Sequence, residues 1–325
     1  MNKASKAAQV AALALAFGTG GICLAAALLA QGGRFDPRLD LLAHFAPFWL
    51  AGAVATALTA MGIAQGGVRA VLLALGAAGV VAAGTLIAPE FFRPIRPVAP
   101  RDTPGQIRLI QLNAWERNAD PVSTANWIAS EHPNVVTIED VTPTLGRALV
   151  ARGFHRARGM VNTTIFSRDI ASLAPFRIPM QDWPLLPDFA RARFEVPGGR
   201  GGFSVVAVHL TRPYLSDRVA RDEDVAVLLD RQPRDALIIA GDFNLTPWSF
   251  ALRRLDRRFG LERRDRALAT WPACPSPGAW VICAPPFLPI DHIYAGSAWR
   301  TVRIARGPRL GSDHYPLVVD LALSK

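Results

Sequence analysis

Along residues 1–88 the apolar positions form three long runs rather than the alternation or stripe of a soluble element. Val10 to Ala30 holds no charged side chain, and about 21 residues at 1.5 Å of rise each cover the roughly 30 Å of a hydrocarbon core. Leu41 to Ile63 has His44 as its one titratable group, and Val68 to Ala88 carries Arg69 at its edge. Three spanning helices are therefore expected, at about 10–30, 41–63 and 68–88, with a tight turn from Ala64 to Gly67. A cleaved signal peptide is the alternative for the first run, because Lys3 and Lys6 precede it. The run is long for that role and two more follow, so a retained membrane region fits better.

From 89 to 106 the pattern breaks. Pro89, Pro94, Pro97, Pro100 and Pro104 are interspersed with Arg93, Arg96 and Arg101, a composition that resists helix and favours an extended tether. Residues 107–325 then carry short apolar runs separated by amphipathic stretches, enough chain for one well-buried domain. Ile107 to Asn113, Val135 to Asp140, Thr163 to Ser167, Phe203 to His209, Leu237 to Asp242, Asp291 to Tyr294 and Pro316 to Leu321 predict strands. Pro121 to Glu131, Thr144 to Ala151, Ser216 to Arg231 and Trp248 to Phe259 predict helices between them. Strands interleaved with helices imply an α/β or α+β layered domain.

Composition sharpens this in two places. A hydrophobic content of 50% excludes a disordered chain, and 36 Lys and Arg against 26 Asp and Glu give a net charge of +10. That excess favours an anionic partner without separating nucleic acid from phospholipid or lipid pyrophosphate. The densest basic run, from Arg253 to Arg266, reads as a solvated helix and loop rather than a base-stacking platform. Of the three cysteines, Cys23 lies in the first span, while Cys274 and Cys283 share one Pro-rich loop. They are either a disulfide, which requires an oxidising compartment, or two free thiols.

The candidate chemistry lies at the strand ends. Asn113, Glu139 with Asp140, His209, Asp242 with Asn244, Asp291, and Asp313 with His314 each stand at or just beyond the end of an apolar strand, where a layered sheet presents side chains to a shared cleft. Alternation places Ile238, Ala240, Asp242 and Asn244 on one face, as it does Val205, Ala207 and His209. Carboxylates, amides and imidazoles without a cysteine cluster suit a hard divalent cation, Mg²⁺ or Mn²⁺. Such a set permits metal-assisted phosphoester hydrolysis, with His and Asp handling the proton.

The segments Gln111-Leu112-Asn113, Val135 to Asp140, Val208-His209-Leu210, Gly241-Asp242-Phe243-Asn244, Ile290-Asp291-His292-Ile293 and Ser312-Asp313-His314 stand in the order of the endonuclease/exonuclease/phosphatase superfamily. The resemblance covers most of the chain beyond the tether. It implies a four-layered sandwich, two β-sheets face to face with helices outside, and one cleft where strand ends meet. It also implies that Asn113 holds metal or phosphate, that His209 contacts a non-bridging phosphate oxygen, and that Asp242 positions or deprotonates the attacking water with Asn244 beside it. Asp313 would bind metal, and His314, oriented by Asp291, would act as acid/base or as a charge on the developing phosphorane. One segment departs from the pattern: the usual Gln-Glu is here Glu139-Asp140. Asp140 aligns with the metal-ligating Glu and is the preferred ligand, with Glu139 the alternative if the strand end rotates, since adjacent side chains face opposite ways.

Arg212, in His-Leu-Thr-Arg-Pro, is a weaker candidate for a phosphate clamp. The layout of three spans followed by this domain resembles a bacterial membrane-bound branch of the superfamily linked to cell-envelope phosphate chemistry and glycopeptide resistance. It leads to the expectation of a multi-pass inner-membrane phosphoesterase facing the periplasm or exterior, acting on a lipid-linked phosphate or pyrophosphate; no protein partner is inferable. Basic residues flanking the spans specify the orientation weakly. A membrane-anchored nuclease acting on DNA, and a catalytically weak module that binds phosphate-bearing ligands, are the rival readings.

Overall fold

The computed structural model describes residues 3–158, 162–168, 188–195, 201–213, 234–274 and 284–323. The expected helix at Ser216 to Arg231 and Cys283 lie outside these segments. The chain forms two compact units, Met1–Arg93 with Thr246–Arg254, and Pro94–Leu245 with Leu255–Lys325.

The first unit contains α1 (Lys3–Gln31), α2 (Pro37–Ala43), α3 (Ala46–Ile63) and α4 (Gly66–Phe92). Three of its helical segments, Ala4–Arg34, Ala46–Ile63 and Gly66–Phe92, are long and apolar enough to cross a membrane. Their contacts run through small residues: Ala16, Ala27, Ala53, Ala60 and Ala83 are buried, and a Cβ on Gly76 would lie 2.9 Å from the Ala53 carbonyl oxygen. Close backbone approach replaces the hydrophobic effect as the packing force where the solvent is lipid. The single span expected at Leu41 to Ile63 is instead divided between two helices, α2 ending at Ala43 and α3 starting at Ala46. Pro47 disfavours helix in the residue before it, and Phe45 sits outside helical geometry as the N-cap of α3. At the other end α4 continues through Pro89 to Phe92, beyond the expected start of the tether. The segment Thr246–Arg254 packs into this unit through Asp40, whose carboxylate accepts from the backbone N–H groups of Phe250 and Ala251, both at 2.8 Å. Trp248 Nε1 donates to the His44 carbonyl at 3.0 Å.

The second unit is built on two sheets. One has the order β10-β11-β1-β2-β4-β3, from Trp299–Arg306, Leu317–Leu323, Gln106–Asn113, Val135–Glu139, Thr164–Ser167 and His155–Arg158. The other runs β5-β6-β7-β9-β8, from Asp188–Glu195, Gly202–His209, Leu237–Asp242, Asp291–Ala295 and Glu262–Arg263. Alternate residues of both sheets face each other and form one core, including Ile107, Leu109, Val205, Ala207, Ile238, Ala240, Ile293 and Ala295. Each fully buried aliphatic side chain there is worth about 1.5–3 kcal/mol of transfer free energy. On the outer face of the first sheet, Ile110, Leu112, Val136 and Ile138 pack beneath α5 (Pro121–Ser130) and α6 (Pro143–Val150). α7 (Phe250–Phe259) brings Phe259 against Phe243 and Tyr294 on the outer face of the second sheet. The two mixed sheets with flanking helices are the sandwich that the sequence motifs led us to expect.

Candidate active site

The inter-sheet core turns polar at one end because its strands run on in the same alternation. Ile107 and Leu109 on β1 are followed on that face by Gln111 and Asn113, and Asn113 pairs in register with Glu139 on β2. In the second sheet His209, Asp242 and Asp291 lie side by side in register on β6, β7 and β9. Each continues an apolar row. Asp313 and His314 enter from the loop before β11, and Ser312 fixes that loop by donating to the Asn113 carbonyl at 2.7 Å while accepting from the His314 N–H at 3.0 Å.

Asp242 Oδ2 is the point on which these groups converge. Asn113 Nδ2 donates to it at 3.0 Å, His209 Nε2 lies 3.7 Å away and His314 Nε2 3.8 Å away. The other oxygen, Oδ1, accepts from the Asn244 N–H at 2.8 Å. Asn244 adopts a left-handed φ of 52°, a conformation in which Asn is enriched, and donates its Nδ2 to the Leu210 carbonyl. Gly241 cannot carry a side chain in this arrangement, since a Cβ would sit 1.8 Å from the Val208 carbonyl oxygen. The Gly-Asp-Phe-Asn run therefore has a physical reason at its first and last positions as well as at the aspartate.

His314 Nδ1 lies 2.8 Å from Asp291 Oδ2, which fixes the ring with Nε2 toward the cleft. Burial works against the charge of His314, but the carboxylates of Asp291, Asp242 and Asp313 outweigh it and push the group up to about 10. Burial also opposes ionisation of Asp291; the His314 charge and hydrogen bonds from His314, Thr270 and Gln111 nevertheless hold it below the usual carboxylate range. Asp242 is raised, first by burial and then by the Asp291 charge, against the opposing pull of His314, His209 and Asn113. Glu139 is pushed well above its ordinary value by burial and by the charges of Asp291, Asp242 and Asp140.

Both carboxylates of the unusual pair reach the cleft region. Glu139 is fully buried on the same strand face as Gln111 and Asn113, with no rotation of the strand end. Asp140 leaves the strand with a left-handed φ of 50°, and its Oδ1 lies 3.6 Å from His209 Nδ1. Asp313 is partly exposed and accepts from Trp271 Nε1 at 3.3 Å. Arg212 is exposed, three residues beyond His209.

Two residues that sequence reasoning did not single out bind the carboxylates together. Gln111 Nε2 donates to Glu139 Oε2 and to Asp291 Oδ1, both at 2.8 Å, and Thr270 Oγ1 donates to Asp291 Oδ2 at 2.5 Å. Gln111 was detectable in principle, because it sits two residues before Asn113 on the same face. Thr270 belongs to no strand and no motif.

The donor set fits a hard divalent cation. Asp242 and Asp291 stand with His314 in a group whose ligand atoms lie within 4.8 Å of one another, and their carboxylates give this end of the cleft the negative charge that draws a cation. Among the described residues Glu139 Oε1 is buried with no hydrogen-bond partner, which is the condition of a carboxylate oxygen that a cation satisfies. The sequence profile of the endonuclease/exonuclease/phosphatase family matches residues 110–314, a span that contains every candidate residue. The chain belongs to this family. Endonuclease/exonuclease/phosphatase proteins are divalent-metal-dependent phosphoesterases and nucleases, and the chain is a hydrolase of phosphoester bonds.

Solved structures of the family share its fold. A mannosyl-6-phosphatase of Bacteroides thetaiotaomicron is similar with a TM-score of 0.52 at 13% identity, covering 67% of this chain and 100% of that one. TDP2 of D. rerio, complexed with a single strand DNA product, gives 0.52 at 17%, covering 66% and 98%. The human Nocturnin catalytic domain with a bound sulfate anion gives 0.52 at 15%, covering 73% and 99%. At these identities the likeness concerns the fold. No curated protein matches the chain.

Proposed function

We propose that the protein is a membrane-anchored, Mg²⁺-dependent phosphoesterase of the cell envelope that hydrolyses a lipid-linked phosphate or pyrophosphate. The observation that carries this reading is the presence, in one chain, of a phosphoesterase cleft and three helices long and apolar enough to span a bilayer. An anchor keeps the cleft at high effective concentration relative to a lipid head group. Residues 1–88 serve as the membrane region, 89–106 as the connection and 107–325 as the phosphoesterase domain. Cys274 is disulfide-bonded, which supports an oxidising, periplasmic or extracellular side.

In this reading Asn113, Glu139, Asp140 and Asp313 hold the cation. When bound, it supplies Lewis-acid polarisation of a phosphoryl oxygen and charge for the transition state. Asp242, fixed by the Asn113 amide and the Asn244 N–H, orients the attacking water. His314 stays an imidazolium across neutral pH, so its Nε2 neutralises charge on the developing phosphorane and donates a proton rather than taking one. His209 and Asn244 contact non-bridging oxygens, and Arg212 adds a second cation at the rim.

The test is hydrolysis by the full chain in detergent, because Thr246–Arg254 packs with the membrane helices. A polyprenyl pyrophosphate and duplex DNA are offered side by side with Mg²⁺ or EDTA, and His314→Ala is the control. Metal- and His314-dependent phosphate release from the lipid supports the proposal. Nicking of DNA alone would replace it with the nuclease reading, which the DNA-complexed TDP2 fold favours, and silence on both would favour a binding module.

A further inference from the structure

The outer face of β9 carries a second histidine–carboxylate pair that the cleft does not use. Consecutive residues of a strand face opposite ways, so Asp291 enters the cleft and His292 points to the other side of the sheet, with its ring centroid 5.5 Å from that of Phe243. His292 and Asp265 are both fully buried. His292 Nδ1 lies 2.7 Å from Asp265 Oδ2, and Nε2 lies 2.8 Å from the Leu245 carbonyl oxygen. A carbonyl only accepts, so Nε2 carries a proton and donates it. Asp265 is held in turn by the Ile293 N–H at 3.0 Å and by the Arg263 guanidinium at 3.5 Å.

A buried ionisable pair is a poor way to gain stability, since well-packed apolar residues often do as well. Phe243, Tyr294 and Phe259 pack on this face, and Arg263 links Asp265 to Asp256, which accepts from the Tyr294 hydroxyl at 2.7 Å. What the pair does hold is specific. Leu245 follows Asn244, the left-handed residue whose N–H binds Asp242, and Leu245 is itself buried. The Gly241–Leu245 turn is pinned at Phe243 N–H, which donates to the Ile290 carbonyl at 2.9 Å, and at the Leu245 carbonyl by His292. One peptide of β9 thus orients Asp291 toward His314 on one face and secures the turn carrying Asp242 and Asn244 from the other.

We infer that His292, braced by Asp265, is a positioning residue that sets the aim of Asp242 and Asn244 by holding the Leu245 carbonyl. The inference rests on the reading of those two residues as reactive groups. It gives the second residue of the Asp291-His292 pair a role distinct from packing: the ring touches no cleft group and acts through the turn. A misplacement of about 1 Å in a reacting geometry costs on the order of 100-fold in rate, so loss of the contact is expected to lower kcat by about 10- to 100-fold with little change in KM.

Two near-isosteric variants separate positioning from general stability. In His292→Gln the amide nitrogen reaches the place of Nε2 and still donates to Leu245; in His292→Asn it takes the place of Nδ1 and faces Asp265 alone. Each variant loses one of two bonds, so their thermal midpoints should fall together. Turnover should not: Asn is expected to lose about 10- to 100-fold in kcat while Gln stays within about threefold. Amide exchange across residues 242–246 of the full chain in detergent, which needs no substrate, should accelerate in His292→Asn and in His292→Leu and remain near wild type in His292→Gln. Equal kcat and equal exchange in the Asn and Gln variants would overturn the inference. A wild type inactive on the substrates offered, with the exchange difference intact, would instead remove the proposed function and leave the positioning contact standing.

Discussion

Replacing Asp291 by Asn removes the carboxylate on which His314 Nδ1, Thr270 Oγ1 and Gln111 Nε2 all converge. All four residues but Thr270 belong to the charged or amide lining of the cleft, and Asp291, Thr270 and Gln111 are fully buried. Breaking a buried ion pair by removing one partner costs about 3–5 kcal/mol. The sign of the pH effect follows from His314, which is raised to about 10 in the folded chain. Its ion pair contributes stability that is complete below its unfolded value of about 6.5 and is lost as pH rises through about 10. Between pH 6 and 8 the imidazolium of the wild type is therefore constant, and its contribution to rate is flat. In Asp291→Asn the main support of the charge is gone, so turnover should fall by at least 100-fold at pH 8 and less at pH 6. Denaturant unfolding of the metal-free chain gives the stability change, and phosphate release between pH 6 and 8 gives the rate profile. A variant as stable as wild type, or one with an unchanged pH profile, would refute the assignment of His314 as an Asp291-supported cation.

Other substitutions test neighbouring parts of the site. Gly241→Ala should destabilise the sandwich by about 3 kcal/mol or more, at the upper end for overpacking, since the added methyl meets backbone and not a movable side chain; circular dichroism melting checks this. Gln111→Leu leaves Glu139 and Asp291 without their shared donor and is expected to cost about 1–3 kcal/mol, with reduced turnover. Because Glu139 stands well above its ordinary value, cation binding should displace a proton, and divalent affinity should rise with pH; calorimetry in buffers of different ionisation enthalpy measures the protons released. In the unit of long apolar helices, Asp40→Ala leaves the Phe250 and Ala251 N–H groups without their acceptor and should lower the thermal midpoint of the full chain by the equivalent of about 1–2 kcal/mol.

The central strands and the edge strands differ in how visible they are in the sequence. β1, β2, β4, β6, β7, β9 and β11 were legible because the sheet interior demands an apolar run or a clean alternation. β3, β5, β8 and β10 escaped, and these four are the edges of the two sheets. Arg156 and Arg158, Arg191 and Arg193, and Arg300, Arg303 and Arg306 interrupt their apolar pattern, as charge on an edge does when it discourages further pairing. β8 is two residues long and has no pattern to read.

The candidate site was legible for a related reason. Strand alternation placed His209 and Asp242 on apolar rows, while Asn113, Glu139 and Asp291 were visible in the sequence as polar strand ends, with Glu139 ranked behind Asp140. Alternation also argued that Glu139 and Asp140 face apart, and it is the left-handed backbone at Asp140 that lets both approach the same region. Gln111 and Thr270 became visible once β1 and the Thr270 loop were seen around Asp291.

What the sequence by itself determined is whatever depends on local period and composition: the three long apolar helices, the interior strands, the layered class and the polar strand ends with their divalent-cation chemistry. Tertiary structure alone decided which polar atoms share a bond, how Gln111 divides one amide between two carboxylates, and which groups His292 meets on the far face of its strand. Periodicity is a property of a segment, whereas a hydrogen bond between residues 111 and 291, or 265 and 292, exists only after two sheets have closed and excluded water.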